Sequence, residues 1–246
     1  MRLRLRFLLA LPVLALAVWA VSTAVAAPPG SGSCSGGLIQ GGTYNGFTVT
    51  GSCFFAGAPV TINGNLRIAD GASLNAHAAT FALVHVTGNV IVGNGAILGL
   101  GKYGAPNIAQ TGTVVDGNIV ADQPMSLYLS AITVHGNLVS NGGSGPGLNF
   151  PIKNLVVDGN VVLQGWSGLW IGLFRSQVGG NVIFPNNTGD QIGETGEPDS
   201  SEVADNVIGG NLICQDNDPV AQFGDSGGGP NTVAGVAVGQ CASLTQ

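Results

Sequence analysis

From residue 60 onward, short apolar runs alternate with polar breaks, and the breaks repeat. The clearest unit is Leu155-Val156-Val157-Asp158-Gly159-Asn160-Val161-Val162-Leu163: an apolar strand, a Gly-Asn break and a second apolar strand. The same pattern recurs at Ile62-Asn63-Gly64-Asn65-Leu66, Val86-Thr87-Gly88-Asn89-Val90, Val115-Asp116-Gly117-Asn118-Ile119 and Val134-His135-Gly136-Asn137-Leu138. Val178-Gly179-Gly180-Asn181-Val182 and Ile208-Gly209-Gly210-Asn211-Leu212 follow, and Val233-Ala234-Gly235-Val236 is a degenerate copy. The seven Gly-Asn glycines are 24, 29, 19, 23, 21 and 30 residues apart. Self-similarity at a period of roughly 20–50 residues marks a solenoid, a propeller or an array. β-Branched and aliphatic residues on both sides of each break select strands. Each repeat therefore reads as strand, corner, strand, with Gly expected to supply positive φ and Asn to tolerate the left-handed region.

One such unit cannot bury its own apolar face, but stacked units can. Parallel rungs would lie about 4.8 Å apart. Asn65, Asn89, Asn118, Asn137, Asn160, Asn181 and Asn211 would then form an amide ladder along the stack, as in other stacked parallel strands. This is a scaffold reading of those residues, preferred over a ligand-binding one.

The chain divides accordingly. Residues 1–26 read as a signal peptide: Arg2, Arg4 and Arg6, then an apolar core, then the small-residue site Ala24-Val25-Ala26. Residues 27–59 read as an N-terminal cap, 60–213 as the rungs and 214–246 as a last rung with a C-terminal cap. Residues 190–205 stand out as a polar insertion with no strand signal. No later stretch is apolar enough to span a bilayer as a helix, so the processed chain is expected to be secreted and free of membrane.

Composition sharpens this picture. Without the leader, only Arg67, Lys102, Lys153 and Arg175 oppose thirteen acids, a net charge of −9. Nucleic acid is thereby disfavoured as a partner. The four cysteines of an exported chain are expected in disulfides. Cys34–Cys53 and Cys214–Cys241 is the expected pairing, because each pair is local and sits at one end of the array. Capped ends and uneven repeats also point to a monomer.

Three stretches carry candidate chemistry. Trp166, Trp170 and Phe174 fall on one face of a strand, with Gly168 and Gly172 between them. They are either a bulky core layer, the preferred reading, or a platform on which sugar rings stack. Asp190, Glu194, Glu197, Asp199, Glu202 and Asp205 cluster, with Asp216 and Asp218 just beyond. Asp190, Glu194, Asp216 and Asp218, with Asn187 and Asn217 nearby, are candidate Ca²⁺ ligands. Carboxylates of this region are also candidate acid and base for glycoside cleavage. A solvated acidic loop is the simpler reading, and no cofactor is required.

Finally, Gly224-Asp225-Ser226-Gly227-Gly228-Gly229-Pro230 looks like the nucleophile motif of trypsin-like serine proteases, with one Gly too many before Pro230. A triad needs a His base. The histidines are only His77, His85 and His135; His77 lacks that family's adjacent cysteine, and His135 occupies the variable position of a repeat, beside the corner. The stretch is expected to be a Gly-rich loop inside the C-terminal disulfide.

The Gly-Asn rungs resemble a right-handed parallel β-helix of the pectin-lyase-like architecture. Cys214 together with residues 224–241 resembles the C-terminal signature of exported actinobacterial β-helix proteins, a family with no assigned activity. That resemblance implies an all-β, right-handed single-stranded parallel β-helix with disulfide-capped ends. The polygalacturonases and lyases of the wider architecture carry N-T-D, G-H-G and R-I-K motifs. Here Asn187-Thr188-Gly189-Asp190 is a poor echo of the first and the others are missing. The expected function is a non-catalytic structural, surface or glycan-binding role, with extracellular polysaccharide or the cell surface as partner. The alternative is a carbohydrate-active enzyme using acidic residues near 190–218.

Overall fold

The computed structural model describes residues 30–55, 57–76, 82–102, 109–190 and 199–246, with the backbone alone over 146–149. The leader, His77, Glu194 and Glu197 lie outside the described residues. The fold is all-β, with long parallel sheets consistent with a parallel β-solenoid.

Each repeat contributes in order to the same three columns of strands. Ahead of the Gly-Asn corner, Val114–Val115, Thr133–Val134, Val156–Val157, Gln177–Val178 and Val207–Ile208 pair one on the next, all parallel. After the corner, Ile119–Asp122, Leu138–Asn141, Val161–Gln164, Val182–Pro185 and Leu212–Gln215 do the same. These two columns form the first sheet. The second sheet stacks Ser73–Ala76, Ile97–Gly101, Ser126–Ser130, Ser144–Lys153 and Ser167–Phe174. Inward residues alternate along each strand, so Val134, Leu138, Val157, Val161 and Leu163 join one continuous core with Leu129, Ile152 and Leu173 of the second sheet. Burying each such side chain is worth about 1.5–3 kcal/mol.

The corners follow a different rule from the expected one. Of the seven Gly-Asn glycines only Gly64 has positive φ, at 107°. The others are required by close approach. A Cβ on Gly136 would stand 2.6 Å from the Gly117 carbonyl oxygen and 2.6 Å from Asn118 Oδ1 of the rung below. The left-handed conformation occurs instead at the two other corners. Gln123, Gly142, Gly165, Asn186 and Asp216 hold it after the first sheet, and Ala131, Asn154, Arg175 and Asp205 after the second.

Stacking begins before residue 60. Gly42–Val49 already pairs with Val60–Ile68, and Ser52–Phe55 with Ser73–Ala76. Nor is 190–205 free of strand: Ser201–Ala204 pairs with Ser167–Phe174, opposing Glu202 to Gly172 and Val203 to Leu173. The local composition is poor for a strand. A ready-made edge and an inward Val203 override it, as tertiary context often does for strands.

Disulfides join Cys34 to Cys53 and Cys214 to Cys241. At the C-terminal end the short 3₁₀ turn Gln240–Ser243 carries the buried Cys241. With Leu244 it covers the last core layer.

Candidate functional site

The Gly-Asn corners carry a continuous amide ladder. Asn89, Asn118, Asn137, Asn160, Asn181 and Asn211 each donate a backbone N–H, at 2.8 Å, to the side-chain oxygen of the Asn one rung earlier, starting from Asn65. From Asn118 to Asn181 the side-chain amides also bond to one another at 3.0–3.1 Å. Both groups of the amides from Asn118 to Asn181 are thereby engaged along the stack.

Asn187 and Asn217 are not ion ligands. Asn187 Nδ2 donates to the Leu163 carbonyl and to Asn217 Oδ1, and Asn217 Nδ2 donates to the Phe184 carbonyl and to Gln240 Oε1. They form a second, buried ladder that satisfies inward-turned backbone groups. A third runs through Ser176, Asn206 and Asn231. Buried polar groups need such partners, and an Asn just after a left-handed corner is the sequence signal for both.

The aromatic row splits. Trp166 precedes the strand and lies in the core at 2% exposure, its ring 5.8 Å from that of Phe150. Phe174, also 2% exposed, stacks against Trp170 at 5.6 Å and an interplanar angle of 11°. Three rings therefore do not share an open face. Only Trp170, half-buried, retains access to solvent.

Trp170, Gly172 and Phe174 point outward from the second sheet, as does Glu202 one strand on. A loop of residues 223–228 arches over them, and the Gly-rich stretch explains how. Gln222 exchanges backbone bonds with the neighbouring strand, its N–H donating to the Ser201 carbonyl and its carbonyl accepting the Val203 N–H. Gly229 N–H donates to Asp205 Oδ1 at 2.9 Å. Between these anchors Gly224, at φ 67°, leaves no room for a side chain, since a Cβ there would collide with Glu202 Oε1 and Asp199 Oδ1, and a Cβ on Gly228 would collide with Ala204. Arg175 pins the arch from the side. Its Nη2 donates to the Ser226 carbonyl at 3.2 Å, its Nε lies 3.6 Å from Asp205 Oδ2, and its guanidinium lies over the Phe174 ring.

Beneath the arch three carboxyl groups converge. Asp199, Glu202 and Asp225 each offer an oxygen within 4.8 Å of the others. Glu202 Oε2 accepts from Trp170 Nε1 at 2.9 Å and from Ser226 Oγ at 2.7 Å. Glu202 is 0% exposed and Asp199 3%. Burial pushes the Glu202 carboxyl up to about 8, and the adjacent Asp199 adds to this against the pull of the Ser226 and Trp170 donors. Burial likewise raises Asp199, with the Asp225 carboxyl adding to it.

This is not the set of carboxylates marked for Ca²⁺ in the sequence. Glu194 is outside the described residues, Asp216 occupies a left-handed corner, and the Asp218 carbonyl accepts the Gly189 N–H, so the backbone is what ties that region together. The expected region contributes Asp199 and Glu202, and the protease-like loop contributes Asp225. Ser226 bonds to a carboxyl, not to a histidine. His85 pairs with Asp116 at 3.0 Å and His135 with Asp158 at 2.7 Å, both on the first sheet.

Among the described residues no helix is long and apolar enough to cross a membrane. With two disulfides, this is compatible with an extracellular protein. No family model, curated protein or solved structure matches the chain.

Proposed function

We propose that this chain is a secreted, right-handed, single-stranded parallel β-helix with a non-catalytic structural role at the cell surface or in the extracellular space. The observation that carries the reading is the burial of the carboxyl best suited to act as an acid: Glu202 is 0% exposed beneath the Gly224 turn, which leaves no space for even a Cβ against it. A general acid must reach the atom it protonates, and this one faces protein. The ladders and the end disulfides favour a rigid rod whose value lies in its shape. Glycan contact, if it forms, centres on Trp170 and not on a three-ring platform. The test is incubation with a panel of cell-wall and plant polysaccharides, reading retained protein and released sugar ends from the same tubes. Neither retention nor release is expected. Release of ends overturns the reading, and retention that Trp170→Ala abolishes moves it to a glycan-binding role.

A second reading, a carbohydrate-active enzyme, is favoured by one feature, the high pKa of Glu202 beside a second carboxyl. Glycosidases need such a pair. It requires the 223–228 arch to lift, and it predicts that Glu202→Gln abolishes a measurable turnover.

A further inference from the structure

We propose that Asp199, Glu202 and Asp225 form a Ca²⁺ site, in which the ion fastens the Gly-rich arch to the outer face of the second sheet. Three acidic side chains alone would not carry this. The additional observation is that Glu202 Oε1 and Asp199 Oδ2 are buried oxygens without a hydrogen-bond donor. Both side chains are more than nine-tenths buried. Unpaired buried acceptors are rare because each forfeits its hydration, and an electrophile between them removes that cost.

In metal-free protein the Glu202 and Asp199 carboxyls share a proton, and the Asp225 backbone also bonds to Asp199; Ca²⁺ would replace that proton, and the remaining side-chain donors are directed elsewhere. Trp170 Nε1 and Ser226 Oγ both go to the other oxygen of Glu202, and Gln222 Nε2 stands 3.5 Å from Asp199 Oδ1, the other oxygen of that carboxyl. Arg175 is engaged with Asp205 and the Ser226 carbonyl.

The donor set is all oxygen, with no sulfur or imidazole, which selects a hard cation over zinc or copper. Ca²⁺ binds oxygens at about 2.3–2.6 Å, so two ligands on opposite sides of it lie about 4.6–5.2 Å apart. The carboxyl oxygens, within 4.8 Å of one another, fit that span. Ca²⁺ also tolerates an irregular shell, whereas Mg²⁺ demands a near-ideal octahedron and holds its waters. Asp225 is exposed and gives the ion an entry side where water can complete the shell. Trp170 and Ser226, each bonded to Glu202, would orient its carboxylate from behind, the arrangement that supports metal ligands elsewhere. Gly224 is then a requirement of the site, since a Cβ there would occupy the space facing Glu202 Oε1.

The test is calorimetric titration of the purified, EDTA-treated protein with CaCl₂, and with MgCl₂ at matched ionic strength, alongside thermal unfolding in EDTA and in Ca²⁺. One Ca²⁺ per chain, a higher Tm in Ca²⁺ and at least tenfold weaker binding of Mg²⁺ are expected. Glu202→Gln and Asp225→Asn should each weaken Ca²⁺ binding tenfold or more, while Asp190→Asn and Asp218→Asn leave it unchanged. Tb³⁺ bound in place of Ca²⁺ should show tryptophan-sensitised emission from Trp170, lost on adding excess Ca²⁺. Absence of binding heat and of any Tm change for the unaltered protein overturns the proposal without recourse to variants. So does Ca²⁺ binding that survives Glu202→Gln, or that is lost with Asp190→Asn. These outcomes are separate from polysaccharide release, so the Ca²⁺ site and the structural role stand or fall independently.

Discussion

Replacing Asn160 by Ala removes one amide from the middle of the corner ladder, and the structure says what is lost. Asn160 Oδ1 accepts the Asn181 backbone N–H at 2.8 Å and Asn181 Nδ2 at 3.0 Å, and Asn160 Nδ2 donates to Asn137 Oδ1 at 3.1 Å. Three hydrogen bonds go, each worth about 1 kcal/mol net. The corner is half-buried, so water recovers part of this, and the expected loss is about 2–3 kcal/mol. Asn65 is the internal control. It is exposed at the start of the ladder and accepts the Asn89 backbone N–H, so Asn65→Ala should cost about 1 kcal/mol or less. Urea unfolding followed by circular dichroism measures both, with an unchanged m-value required to attribute the shift to stability. If the two variants lose the same stability, the additional side-chain bonds of the interior amide contribute nothing and the reasoning is wrong.

Gly136→Ala should destabilise by about 1–3 kcal/mol through overpacking against the rung below, and a crystal structure of the variant should show the local rung spacing widened; an unperturbed fold and stability would refute the close-approach account. Opening Cys34–Cys53 or Cys214–Cys241, which close loops of 19 and 27 residues, should each cost about 3 kcal/mol on the chain-entropy scale. Hydrogen exchange should then rise first in the rung beside the missing bridge, and uniform exchange would argue against its role as an end clamp. In metal-free protein, the Glu202 contribution to stability should be full below the ordinary Glu value of 4.5 and be lost as pH rises through about 8, because the folded state holds the Glu202 proton that the unfolded chain releases. At about 1.4 kcal/mol per pH unit between those values the ceiling is about 5 kcal/mol, lowered by any relaxation of the arch. Glu202→Gln should flatten this dependence, and a dependence that persists in the variant would place its origin elsewhere.

The corners are legible in the sequence because their chemistry is local. Gly and Asn are adjacent, apolar strands flank them, and the repeat spacing says that copies stack. What that reasoning misassigned was the reason for the glycine, since steric room under a neighbouring rung is not visible in one repeat taken alone. The carboxyl site is harder to see for a related reason. Asp199 and Glu202 sit in a stretch of poor strand character, and Asp225 belongs to a motif resembling an unrelated catalytic loop. Only the pairing of Ser201–Ala204 with Ser167–Phe174, and the return of residues 223–228 across that edge, bring them together. Likewise Trp166 and Phe174 share strand parity with Trp170, but Trp166 precedes the strand and turns into the core.

The corner ladder carries no address. An Asn at one level binds an identical Asn at the next, so nothing in that ladder distinguishes the level of Gly136 from that of Gly159. The corner ladder itself therefore sets no limit on the number of levels. Duplicating the 23 residues between those glycines would lengthen the rod by about 4.8 Å and leave every interface of a familiar kind. Inserting half as many would throw outward polar residues into the core and be rejected. The natural unit of change in such a gene is a whole turn. Solenoids of different lengths can therefore share one cross-section, and one can be lengthened by recombination without being redesigned.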